Sequence, residues 1–227
     1  QEFLANRSLR RKVNQDLRQM ATRVAKAAPK PDETKTILLF NASTRISGLS
    51  LNAAFAMLTG WSLRMQGVRV INFVCHQGMP RCVQGTDRTD VYRLPPCNQC
   101  LTQSKIIYHQ SKVSRLISTS SEELAKQLQN TSLDELRHFR FEDFPLGDLC
   151  LPSMRWVLRR HHLIDDEPTR VLYRYFILSA YKVALQFDWL VITESPQAVV
   201  VFNGMLFPEA SARWVARQRG VPVYSHE

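Results

Sequence analysis

No apolar run approaches the ~18 consecutive residues that a membrane-spanning helix needs. No segment has the build of a secretory signal peptide, though a leader preceding Gln1 would not be seen. Glycine is sparse, at 8 of 227 residues, and no glycines fall in the GxGxxG or GxxxxGK(S/T) spacings. A dinucleotide fingerprint and a P-loop are thereby excluded, since both need glycines that let backbone approach phosphate. HExxH, a Ser-His-Asp order and a defensible pair of catalytic carboxylates are missing too, leaving no support for a zincin, a triad hydrolase or a glycosidase. Cysteine is scarce: five in a chain this long do not make a disulfide scaffold, and they fit a reducing, cytoplasmic setting. There is no internal repeat and no low-complexity tract.

What the chain does have is positive charge. Its 30 lysines and arginines against 20 acids give a net charge of +10. Such a surface favours anionic partners, whether phosphate, nucleic acid or acidic lipid. The length fits one large domain or two small ones, and 44% hydrophobic residues suffice for a substantial core. The chain opens on Gln1 and closes on Glu227 at the end of a strand candidate, which reads as a piece of a longer protein.

The fold class follows from two similar units. Ala198 to Phe202 is a valine-rich run suited to a strand buried on both faces. Asn203-Gly204 turns the chain, Pro208 sits at the first turn of a helix, Gly220 ends it, and Val221 to Tyr224 is a second strand. Near the other end, Thr36 to Phe40, a polar loop from Asn41 to Gly48, a helix from Leu49 to Gln66 and Val68 to Cys75 repeat the pattern, with Leu51, Phe55, Leu58 and Leu63 on one helical side. Strand, helix, strand units force a parallel sheet, so the expectation is an α/β, Rossmann-like parallel sheet with flanking helices over residues 32–227. Ligands of such sheets bind beyond the carboxyl ends of the strands. Those ends carry Asn41, Ser43 and Gly48 on one side, and Asn203, Gly204, His226 and Glu227 on the other.

Residues 1–31 form a basic amphipathic helix, with Leu9, Val13, Leu17, Met20 and Val24 on one face among Arg7, Arg10, Arg11, Lys12 and Arg18. It reads either as a helix packed on the domain or as one lying on an acidic membrane surface. In the middle, Ser104 to Leu116, Ser121 to Gln129, Ser132 to Arg140 and Ser153 to Leu163 read as helices, Pro145 to Asp148 as a turn, and Thr169 to about Phe187 as a buried helix. Trp189 to Thr193 suits either an extension of that helix or a strand.

A cysteine-rich excursion, 75–103, breaks the α/β rhythm. Cys75, Cys82, Cys97 and Cys100 are separated by gaps of six, fourteen and two residues. The two-residue gap lets one turn present two thiolates to one ion, so the set suits structural zinc or, less well, an iron–sulfur cluster. A disulfide or redox pair and four unrelated thiols are the alternatives, and His76 is a substitute ligand. The CxxC does not open a helix directly after a strand, unlike a thioredoxin-type motif. A closed shell of four cysteines leaves no open position for catalysis.

Three further features each have a plain and a functional reading. His226 is a base at the crevice or a strand-end polar residue. Glu209 complements a helix dipole or faces the crevice. His161-His162 beside Arg159-Arg160 is a solvated basic face or a phosphate site.

The stretch VVVFNGMLFPEASARWVARQRGVPVYSHE resembles the end of the N-terminal domain of GT-B glycosyltransferases, especially bacterial enzymes of capsule and surface polysaccharide synthesis. TILLFNASTRISGLSLNAAFAMLTGWSLRMQGVRVINFVC resembles their first βαβ, and CHQGMPRC…PPCNQC a cysteine-bearing insertion in some of them. The resemblance implies the acceptor-binding half of a two-domain enzyme, with the nucleotide sugar on a C-terminal donor domain missing from this chain. It implies a glycan or lipid-linked acceptor, a cytoplasmic protein at the inner membrane face, and a cleft walled by Asn41 to Gly48, Asn203-Gly204 and His226-Glu227. The competing reading is a non-enzymatic, metal-stabilised module for nucleic acid or other anions. It is weakened by having Tyr92 as the only aromatic between Cys75 and Cys100. A nucleotide-dependent α/β enzyme of another type ranks last for want of a glycine loop.

Overall fold

A computed structural model describes residues 2–42 and 46–227, the side chains of 2–7 excepted. Ser43 therefore lies outside the described residues. The apolar runs become strands β1 (Asp32–Phe40), β2 (Val68–Cys75), β4 (Ala198–Phe202) and β5 (Val223–His226). A further strand, β3 (Lys112–Leu116), completes a five-stranded, all-parallel sheet of order β3-β2-β1-β4-β5. The α/β, Rossmann-like expectation is met. The first and last units share this sheet directly: Ile37 pairs with Ala198 and Phe40 with Val201 across the centre.

Two hydrophobic layers hold helices to the two faces. On one, Phe40, Phe73 and Phe187 meet with ring centroids 5.2–5.4 Å apart. Each fully buried ring of this size contributes about 2–3 kcal/mol from area alone. Phe187 belongs to α7 (Glu167–Glu194), the apolar helix of the core. Asp166 caps it by accepting the Thr169 N–H at 2.9 Å. It is long and apolar enough to cross a membrane, yet most of its apolar window is buried in the fold. The helix absorbs Trp189 to Thr193, so that segment is not a strand. α6 (Leu146–Leu158) and α8 (Glu209–Gln218) pack beside it.

The opposite face is covered by α1 (Glu2–Ala27), α2 (Leu51–Met65) and α3 (Cys97–Ile107), which bury Ala21, Ala53, Met57, Trp61 and Ile107. Gly60 lets α2 approach β1, since a Cβ there would stand 3.1 Å from Leu39 Cδ1. Ser50 caps α2 by accepting the Ala53 N–H at 3.1 Å. The α2 stripe does not do what its spacing predicts: Leu51, Phe55 and Leu58 are exposed, and the small and bulky residues on the other side face the sheet. At the β5 edge of the sheet Tyr224 is 63% exposed.

Three other expectations are corrected. The helix from Ser104 does not reach Leu116; it ends at Ile107, and Gln110, at φ 57°, turns the chain into β3. Pro145 to Asp148 is no free turn but the start of α6, which closes at Leu158 rather than Leu163. Pro208 precedes α8 instead of lying within it, following a cis Phe207–Pro208 bond. Short helices α4 (Glu122–Gln127) and α5 (Leu133–Arg137) complete the described elements.

Candidate functional site

Parallel pairing brings the carboxyl ends of all five strands to one rim, and strand order reverses between β1 and β4. That reversal opens a crevice in sheets of this kind. Asn41 follows β1 and is buried; its Nδ2 donates to Asn72 Oδ1 at 3.0 Å, and Asn72 Nδ2 donates on to the Lys112 carbonyl at 3.4 Å. The Asn41 side chain thus ties strands together under the rim. Gly48, at φ 74°, lies at the far end of the same loop.

Asn203 and Gly204 both adopt positive φ, 55° and 75°. Asn203 Oδ1 accepts the Met205 N–H, and its Nδ2 donates to Glu227 Oε1, each at 3.0 Å. The Asn203 N–H donates to the His226 carbonyl at 2.8 Å. The tips of β4 and β5 are therefore one hydrogen-bonded cluster. Its fourth member, the His226 ring, stacks on Phe55 with centroids 4.2 Å apart and lies 5.6 Å from Phe202. Burial lowers the pKa of His226, and its Nδ1 is buried with no hydrogen-bond partner among the described residues. A neutral imidazole with a spare nitrogen suits accepting or donating one hydrogen bond to a hydroxyl. Phe55 is the member that sequence reasoning missed. Helical spacing placed it on one side of the helix with Leu51, Leu58 and Leu63, and nothing local marks it as the partner of a residue at the other end of the chain.

Glu209 lies in the first turn of α8, only 6% exposed. It sits under the rim at the positive end of the helix dipole. His161 and His162 follow α6 in a loop and line a cleft of about 230 Å3 with Arg137 and Arg155. Asp134 and Asp165 line the same cleft and offset its positive charge.

The four clustered cysteines come together at the neighbouring part of the rim. Cys75 ends β2, Cys82 lies in the excursion, and Cys97 and Cys100 occupy the first turn of α3, so the CxxC does open a helix, after a loop rather than a strand. All four line one apolar cavity of about 30 Å3, together with Ala42 and Ile46 of the β1 loop. All four are free thiols. Burial pushes Cys82 up to about 12 and Cys100 to about 11, and it raises Cys75 and Cys97 as well. Reactive redox cysteines need the opposite shift, so the redox-pair alternative loses ground.

One backbone N–H nevertheless donates to these sulfurs, that of Gly85 to Cys82 Sγ at 3.3 Å, and the amides of Gln77, Gly78 and Met79 partly offset the effect of burial on Cys75. The turns repeat a tetrapeptide, Cys75-His76-Gln77-Gly78 and Cys82-Val83-Gln84-Gly85, echoed in Cys97-Asn98-Gln99-Cys100. This short repetition is visible in the sequence alone, and sequence reasoning missed it. Its glycines are sterically required. A Cβ on Gly78 would stand 2.6 Å from the Leu116 carbonyl oxygen, and one on Gly85 would stand 2.7 Å from Pro95 Cβ and 3.1 Å from Cys82 Sγ. Gln77 Nε2 donates to Asn98 Oδ1 at 3.3 Å, joining the first turn to the third.

The excursion is anchored by a residue that sequence reasoning also missed. Arg81, 5% exposed, donates from its guanidinium to the carbonyls of Pro80, Val91 and Tyr92, and lies 4.7 Å over the Tyr175 ring. Its N–H donates to Ser179 Oγ of α7, and Ser179 donates back to the Arg81 carbonyl at 2.7 Å. As they stand, no three His, Cys, Asp or Glu side chains among the described residues form a ready metal shell. No protein-family model matches the chain, and no curated protein matches it.

Proposed function

We propose that this chain is the acceptor-binding half of a GT-B-type glycosyltransferase that moves a sugar from a nucleotide-sugar donor during surface polysaccharide or glycolipid synthesis. The observation that carries the reading is the cluster of Asn203, Gly204, His226 and Glu227 at the crevice, with His226 holding a nitrogen that has no hydrogen-bond partner among the described residues. In this role His226 and Glu227 face the acceptor hydroxyl, and the neutral imidazole is suited to draw off its proton as the sugar is transferred. The nucleotide sugar would sit on a second domain outside these 227 residues.

Placement at the inner face of a cytoplasmic membrane belongs to the same proposal. α1 docks through Leu17, Ala21 and Val24 in its later turns. Leu9 stays 59% exposed and Val13 is exposed beside it, amid Arg10, Arg11 and Lys12. A free amphipathic end of this kind suits anionic headgroups.

The test is acceptor binding followed by saturation-transfer NMR, using short glycans and their lipid-phosphate-linked forms. Binding that disappears in Asn203→Ala and His226→Ala supports the proposal. Binding of a nucleotide sugar by this chain would count against it. So would salt-sensitive binding of a random oligonucleotide with no glycan bound, which favours the anion-binding module instead.

A further inference from the structure

We propose that Cys75, Cys82, Cys97 and Cys100 bind a single Zn2+ ion in a closed tetrahedral shell that forms the floor of the β1 loop. The inference stands apart from the glycosyltransferase reading and would survive its failure. Its basis is geometric. Thiols from three separate pieces of chain converge on one cavity. The cavity they line is small and mostly apolar, and it brings all four thiols to one place. Zinc takes four thiolates tetrahedrally, and a CxxC turn supplies two of them without strain.

The surroundings are built for charged sulfur. The Gly85 N–H donates to Cys82 Sγ at 3.3 Å. Such bonds stabilise a thiolate far more than a thiol, because hydrogen bonds to a charged acceptor are the stronger kind. Among the described residues no cationic side chain lines the cavity, and a Zn2+ ion would offset part of the charge of the four thiolates. On binding, each sulfur loses its proton to solvent and gains a bond to the metal, so the protein undergoes no redox change. The sulfurs draw inward from their present spacing as the shell closes.

The site is structural, since four protein ligands leave no position for substrate. Its place gives it a second effect. Ala42 and Ile46 line the same cavity and belong to the loop that leaves β1 at the crevice. Ion binding therefore fixes Ala42 and Ile46 as well as the excursion.

The full chain is purified under reducing conditions, stripped of metal, and offered Zn2+ and then Co2+. The expected results are one metal per chain by elemental analysis and a Co2+ spectrum with intense thiolate charge-transfer and tetrahedral ligand-field bands. The amide signals of Ala42 and Ile46 should shift on Zn2+ titration. Cys82→Ser and Cys97→Ser should each abolish the Co2+ spectrum, and Cys150→Ala, deep in the core away from the cavity, should keep it. Gly85→Ala should weaken Zn2+ binding by about 10–100-fold through the lost N–H geometry at Cys82. A folded chain that takes up no metal overturns the proposal, as does Cys82→Ser binding Zn2+ as tightly as the parent. Iron with acid-labile sulfide, or an intact mass reduced by the two hydrogens of a disulfide, overturns it equally.

Discussion

Asp166 ties the longest helix to solution conditions through one carboxylate. Hydrogen bonds from Thr169 hold its pKa below the usual aspartate value. A depressed folded-state pKa adds stability that is full above the unfolded value and is lost as pH falls through the folded one. Asp166→Ala should cost about 1 kcal/mol at neutral pH, measured by urea unfolding, and the cost should fade in acid. Asp166→Asn should retain most of the cap and lose that pH dependence. Gly147 is a second decisive position. A Cβ there would stand 2.6 Å from the Arg137 carbonyl oxygen and from the Phe139 backbone nitrogen, while its own carbonyl accepts the Tyr173 hydroxyl at 2.9 Å. Gly147→Ala should destabilise by about 1–3 kcal/mol, as overpacking does, with an unchanged denaturant slope. Neither the crowding at Gly147 nor the stacking of Phe55 on His226 is legible in the sequence, because each depends on a neighbour brought in by the fold. The cysteine clustering was legible, since Cys97 and Cys100 are two residues apart and all four fall within one short stretch.

Among the elements, the strands rich in valine and isoleucine were readable, and β3 was not. Its residues, Lys112–Leu116, alternate imperfectly at the sheet edge, and Ile106, Ile107, Val113 and Leu116 also satisfy helical spacing. The break comes at Gln110 in a left-handed conformation, where no glycine announces it. The α2 error has a different cause. α2 carries apolar residues on two sides, and periodicity cannot rank them. For α1, the exposed Leu9 and Val13 give the membrane reading a direct check. Reversing Arg10, Arg11 and Lys12 to glutamate should abolish co-sedimentation with vesicles containing anionic lipid, with the circular dichroism unchanged. Equal sedimentation of parent and variant, or none by the parent, would remove α1 from the membrane.

At the scale of the whole molecule, the excursion is held twice: by the thiol turns at the rim and by Arg81 at α7. Removing Arg81 strands three carbonyls that now share one charged donor. Arg81→Ala should cost about 2–3 kcal/mol, with hydrogen exchange accelerating first over residues 76–96 and only later in the sheet. Simultaneous acceleration everywhere would show that excursion and sheet open as one unit.

The central pairing of Phe40 with Val201 also bears on how the protein is made. A ribosome delivers β1, β2 and β3 long before β4, so one side of β1 leaves the exit tunnel with its backbone amides unmatched. The aromatic residues beneath wait for α7, which is translated after all three of those strands. The nascent chain therefore carries an open sheet edge and bare phenylalanines until α7 and β4 have emerged, and the sheet cannot close before then.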